Sequence, residues 1–232
     1  MSVVIVTGAT GASGRATCAA LLAAGHSVAA VGRDADRLAK VDAQVAESAT
    51  DGARLTTHVA DVTEADAVSA LVTQVKSAHG RVDGLAHLVG GWRGGKAFAD
   101  NSDDDWRFLS VNLVESLRHL TLALHDDLVA SPAGRVVIVS AAAAAKPTAG
   151  NANYATAKSA AEAWMLALAD SFRRLQSGRK TDPTPQTATA VIGVVSWIGD
   201  DPKASSPTQV AAGIRAIVDG DAAELNGARV TL

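Results

Sequence analysis

The sequence predicts an α/β protein, one domain over residues 1–232 built on a doubly wound parallel sheet of about seven strands with helices on both faces. Three observations carry that expectation. The chain opens with the apolar run Val3-Val4-Ile5-Val6, then places glycines at 8, 11 and 14 before an Ala-rich stretch, a strand–turn–helix pattern. Short apolar runs and longer amphipathic stretches then alternate to the end of the chain, as a parallel sheet covered by helices requires. Finally, 232 residues at 48% hydrophobic content can bury the core of one such sheet.

The elements follow in order. After the first strand, residues 16–24 form a helix, and residues 27–31 a second strand ending in Gly32-Arg33. A helix over 35–49 leads to a third strand over 55–60, which ends in Asp61-Val62. A helix over 64–78 and a fourth strand over 84–89 come next, and then the loop Gly90-Gly91-Trp92-Arg93-Gly94-Gly95, too glycine-rich to be helical. Asn101 to Asp105 supply N-cap candidates for a long helix through about residue 129, so this acidic run reads as a cap rather than a site. Residues 135–140 are a fifth strand, 151–175 a helix, and 187–195 a sixth strand, after a polar loop over 176–186. Residues 207–218 give a last helix and 228–232 a closing strand.

Charge and composition exclude several functions. The net charge is −3 with a pI near 6.0, and no Lys/Arg block appears, so a nucleic-acid role has no electrostatic footprint. Every apolar run is shorter than the ~20 residues a bilayer requires, and the first strand begins at Val3 without a basic segment before it, so no membrane association and a cytoplasmic location are expected. The one cysteine, Cys18, falls among alanines and reads as a small buried hydrophobe. The six histidines show no metal-ligand spacing, and no metal site is expected.

Two segments carry chemistry. Glycines at 8, 11 and 14 let the backbone turn sharply and approach a ligand, and the following helix offers unpaired N–H groups to a pyrophosphate; a dinucleotide is the natural guest. In Tyr154-Ala155-Thr156-Ala157-Lys158 a helix places both polar side chains on one face, and an ammonium beside a phenol favours its ionised form. Tyr154 is the only tyrosine.

These segments, with Asp61-Val62, Asn112 in Ser110-Val111-Asn112-Leu113, and the strand through Ser140, resemble the short-chain dehydrogenase/reductase family in order and spacing over essentially the whole chain. The resemblance implies a Rossmann fold and hydride transfer with NAD(P). It implies that Gly8, Thr10, Gly11, Ala12, Ser13, Gly14, Arg33, Asp61, Val62 and Gly90 hold the cofactor. Tyr154 would then give a proton to the substrate, Lys158 would clamp the nicotinamide ribose and depress the phenol, and Asn112 would anchor a water relay. Asn112 can equally bond backbone within its helix. A homodimer or homotetramer paired through the long helices is implied too.

Departures from the family pattern point at the substrate. The catalytic serine position is Ala141; Ser140 is one place early, and a one-residue shift on a strand turns a side chain to the other face. Asp200 stands where a pyrophosphate-contacting Thr is usual, and little chain remains for a lid. Gly90-Gly91-Trp92-x-Gly94-Gly95 together with that alanine resembles quinonoid dihydropteridine reductases, whose substrate is an electron-poor ring that accepts hydride without a polarising serine. Trp92 could wall a flat slot or pack on its own loop. Gly32-Arg33-Asp34 at the end of the second strand favours NADP(H), because an Arg accommodates a 2′-phosphate, with NAD(H) possible given Asp34. The expected function is an NAD(P)H-dependent reductase of a planar quinonoid or small carbonyl substrate. The alternatives are a conventional ketone or 3-oxoacyl reductase, in which Ser140 or a water polarises the carbonyl, and a non-catalytic cofactor-binding sensor or scaffold.

Overall fold

The computed structural model describes residues 1–50, 52–199 and 201–232. Seven strands form one sheet: β1 (Val3–Thr7), β2 (Ser27–Gly32), β3 (Leu55–Val59), β4 (Gly84–His87), β5 (Gly134–Ala141), β6 (Ala188–Val195) and β7 (Arg229–Thr231). Their order is β3-β2-β1-β4-β5-β6-β7, with every pairing parallel. The order reverses between β1 and β4, so the crevice beyond their carboxyl ends is where a ligand is expected in an open α/β sheet.

Side-chain alternation divides the core in two. Val3 and Ile5 of β1 point into one apolar layer and Val4 and Val6 into the other, as the two-residue period of a strand demands. The first layer is closed by α3 (Ala65–His79), α5 (Ser116–Ala130) and α6 (Ala152–Leu175), which bury Leu71, Leu120 and Phe172. The second is closed by α1 (Ala12–Ala23), α2 (Ala35–Val45) and α7 (Pro207–Asp219), which bury Leu21, Val41 and Ile214. Ser206 caps α7 reciprocally: its hydroxyl accepts from Gln209 N–H, and Gln209 Oε1 accepts from Ser206 N–H, with Pro207 opening the helix.

The sequence misplaces three features. The first helix starts at Ala12, not residue 16, because Gly11 ends the turn and hands over directly to helix. The expected single helix from 101 to 129 is two helices, α4 (Asp103–Ser110) and α5, joined by a π-helical turn over Val111–Glu115. There Ser116 N–H donates to Val111 O, five residues back, while the Ser116 hydroxyl donates to Asn112 O at 2.6 Å, the carbonyl an α-helix would have given to that N–H. A short helix α8 (Ala222–Leu225), capped by Asp221, precedes β7. The acidic run is indeed a helix start: Ser102 Oγ accepts from Asp105 N–H, and Asp103 to Asp105 form the first turn of α4.

Candidate functional site

The turn after β1 is shaped by steric need. Gly8 has φ +70°, and a Cβ there would lie 2.8 Å from Leu88 O; a Cβ on Gly14 would lie 2.2 Å from Gly8 O. The turn closes with Gly11 N–H donating to Gly8 O, and the first α-helical bond is Arg15 N–H to Gly11 O. No side chain caps α1, so the N–H groups of Ala12, Ser13 and Gly14 at its start are left for a ligand. That turn, whose close backbone approaches leave no room for a Cβ at Gly8 or Gly14, with free N–H groups at the start of α1, fits a dinucleotide pyrophosphate.

A cavity of about 260 Å³ continues from the turn past Thr10, Arg33, Asp61, Val62 and Asn112. Arg33 Nη1 lies 3.9 Å from Asp61 Oδ2. Burial raises the Asp61 carboxyl, but hydrogen bonds from the Thr63 hydroxyl and N–H, and the Arg33 charge, outweigh it and hold the group below the usual carboxylate range. Asp34 lines the same cavity and also N-caps α2, one carboxylate oxygen accepting from Arg37 N–H at 2.9 Å. Two arginines that the motif alone does not single out meet at this end, Arg15 Nη1 donating to Thr10 O at 2.7 Å and Arg37 Nη2 to the same carbonyl at 3.3 Å. Their signal was positional: Arg15 follows the third glycine, and Arg37 stands one turn after the cap residue.

The second cavity, about 630 Å³, opens from the same glycines towards Tyr154 and Lys158 on α6. The structure thus brings together the turn, Gly90, Trp92, Ser140, Ala141, Tyr154 and Lys158. Lys158 is 8% exposed and its Nζ donates to Val139 O at 2.6 Å. Burial drives its pKa down to about 8, against an upward pull from Glu162. Tyr154 departs from the sequence expectation: burial raises the phenol, and Lys158, with Nζ 5.7 Å from the ring centroid, does not reverse this. The phenol is therefore held protonated, as a proton donor, at neutral pH.

Ser140 is buried and its hydroxyl donates to Glu162 Oε1 at 2.5 Å; the other carboxylate oxygen faces Arg229 Nε at 3.2 Å. This serine is engaged with α6 and β7, and Ala141 follows it at the next position of β5. Asn112 takes the backbone role: its Nδ2 donates to Phe108 O at 2.8 Å. Trp92 does both things open to it, since a Cβ on Gly94 would touch the indole at 3.0 Å, yet 60% of the residue is exposed along the cavity. Trp197 lines the same cavity at 48% exposure, held by Ser205 N–H donating to its carbonyl. No sequence motif marks Trp197, which simply follows β6. Asp200, expected near the pyrophosphate, lies outside the described residues. Cys18 is fully buried, its thiol pushed up to about 12 by desolvation. No helix among the described residues is long and apolar enough to cross a membrane.

Comparison with known proteins gives this geometry a lineage. Residues 2–176 match the family model described as short chain dehydrogenase. An uncharacterized oxidoreductase of Mycobacterium tuberculosis is 34% identical over 226 residues, covering 97% of this chain and 83% of that protein. A short chain dehydrogenase of Pseudocercospora fijiensis is 33% identical over 167 residues, covering 71% of this chain and 53% of that protein, so the chain spans about half its length. The NADPH-bound short chain oxidoreductase of Pseudomonas aeruginosa PAO1, described as containing an atypical catalytic center, superposes with a TM-score of 0.87 at 20% identity, over 100% of this chain and 95% of that one. At that identity the likeness is one of fold. The sequence match over most of the chain and the Tyr154/Lys158 pair beside the glycine turn lead to one conclusion: this chain belongs to the short-chain dehydrogenase family of oxidoreductases.

Proposed function

We propose that the chain is a cytoplasmic NADPH-dependent reductase that delivers hydride to a planar quinonoid, dihydropteridine-like substrate or a small carbonyl compound. The observation that carries the quinonoid preference is the engagement of Ser140 with Glu162, which leaves Ala141 at the expected serine position and the Ser140 proton directed away from a ketone oxygen. An electron-poor conjugated ring needs a proton source and a flat slot instead. Trp92 and Trp197, both exposed along the cavity, supply apolar ring faces for such a slot. The bound nicotinamide supplies the hydride. Tyr154, kept protonated by burial, gives the proton to the substrate atom that gains charge, and the Lys158 ammonium holds the ribose and stabilises the phenolate left behind. Asn112 shapes the wall through the π turn.

NADP(H) is favoured over NAD(H) because Arg33 and Arg37 both flank the adenosine cavity, and NAD(H) remains possible because Asp34 lines it too. Arg33→Asp is expected to weaken NADPH by about tenfold or more and to leave NADH within about threefold. Equal losses for both cofactors would remove the 2′-phosphate assignment. The substrate reading is tested by measuring NADPH oxidation with quinonoid dihydropterin against a panel of small ketones and 3-oxoacyl compounds. Preference for the quinonoid supports it; turnover of ketones alone would establish the conventional reductase.

A further inference from the structure

His87 ends β4 beneath the site and is buried. Both ring nitrogens have partners: Nδ1 lies 2.8 Å from Thr7 Oγ1, and Nε2 lies 3.1 Å from Ser116 Oγ. The Ser116 hydroxyl has one proton and spends it on Asn112 O at 2.6 Å, so it can only accept from the ring. Nε2 therefore carries the imidazole proton, and Nδ1 accepts from Thr7. The result is a one-way chain of donors: Thr7 hydroxyl to His87, His87 to the Ser116 hydroxyl, and that hydroxyl to the Asn112 carbonyl. Burial, reinforced by the Lys158 charge, lowers His87 to about 3, so the imidazole is neutral throughout the physiological range.

The end of this chain is the carbonyl that the π turn leaves without an N–H donor. Ser116 N–H reaches back to Val111 O while its hydroxyl bonds Asn112 O; Thr73 and Thr121 bond the carbonyl four residues back in the same way without opening a π turn, and what sets Ser116 apart is the His87 ring nitrogen that meets its hydroxyl. Leu113 of that turn, together with His87, Val139, Lys158 and Ala161, encloses a chamber of about 10 Å³ at the buried end of the lysine. An α-helical path through these residues would rotate Asn112 and Leu113 relative to Lys158.

We propose that His87 is a positioning residue, whose Nε2–H orients the Ser116 hydroxyl so that the π turn stays open and Lys158 keeps its place. The binding and turnover consequences rest on the reading of Lys158 as ribose holder; the tautomer and the turn do not. Lys158 has His87 facing it from β4, and Tyr154 and Glu162 beside it on α6.

The test uses His87→Gln, His87→Asn, His87→Leu and Ser116→Ala in the full chain. The Gln amide reaches the Nε2 position and can still donate to Ser116, whereas the shorter Asn amide cannot. ¹⁵N NMR of the parent chain, read without cofactor, should show His87 protonated at Nε2; the opposite tautomer would overturn the proposal. Amide signals of residues 111–116 should move together in Leu, Asn and Ser116→Ala and stay near parent positions in Gln. NADPH affinity should fall about three- to tenfold in the first three and stay within about twofold in Gln. The double variant His87→Leu/Ser116→Ala should lose no more than either single one. Gln and Asn behaving alike, or additive losses, would sink the idea. If the parent chain binds NADPH but turns nothing over, the functional reading fails while tautomer, amide and affinity readouts still decide this one.

Discussion

At the scale of single residues, the site is organised by what burial does to two titratable groups. Lys158 titrates near 8 in the folded chain and near its ordinary value of 10.5 unfolded. Between those values the unfolded chain holds more protons, so stability gains with rising pH there, and the full cost of the buried ammonium is present below about 8. Lys158→Met is therefore expected to raise stability by about 1 to 3 kcal/mol at pH 7, the gain vanishing above about 10.5, while abolishing function. Thermal melts at pH 7 and pH 10.5 check this; a variant less stable at pH 7 would contradict it. Cofactor binding and turnover of the parent chain should both fall as pH rises through about 8. Ser140→Ala tests the other half of the reading. Because its hydroxyl is bonded to Glu162, turnover should stay within about threefold, where loss of a true oxyanion donor costs about 10²- to 10³-fold. A loss of that size would place Ser140 in the catalytic group, as the conventional ketone reductase reading requires.

At the scale of elements, legibility followed the local signal. The glycine turn and the Tyr154/Lys158 helix could be read because each is specified within a few residues. The π turn could not: the ring that meets the Ser116 hydroxyl there belongs to His87, 29 residues away in sequence. Arg15, Arg37 and Trp197 escaped for a related reason, since sequence alone does not say which charged or aromatic side chains turn towards a cavity. The direction of the Tyr154 shift is not legible in the motif, which shows the neighbouring lysine but not the burial that raises the phenol. At the opposite ends of the strands, Asp83 is buried and accepts from Val3 N–H at 2.9 Å, Ser131 Oγ at 2.6 Å and Arg81 Nε at 2.6 Å, tying β1, β4 and the α5–β5 connection. Asp83→Ala strands those donors and is expected to cost about 3 kcal/mol, measured by urea unfolding, without changing NADPH affinity. An unchanged midpoint would show that the cluster is dispensable.

At the scale of the whole molecule, the alternation of apolar runs predicted seven parallel strands and helices on both faces, and the structure has them. The alternation could not settle the edges of elements or what covers their outer faces. Leu122 of α5 and Leu166 of α6 are more than half exposed, and Trp164 Nε1 donates to Thr121 Oγ1 between the same helices. We propose that a second copy covers this face; sedimentation should show a dimer or tetramer that Leu122→Glu/Leu166→Glu dissociates, and a monomeric parent chain would refute it. The central claim is that Tyr154 is the proton donor of an NADPH-dependent reduction. It is tested most directly by following NADPH absorbance with quinonoid dihydropterin for the parent chain and Tyr154→Phe. The account predicts oxidation by the parent that falls about 10²-fold or more in the variant, with NADPH affinity retained. Oxidation that persists undiminished in Tyr154→Phe would contradict it.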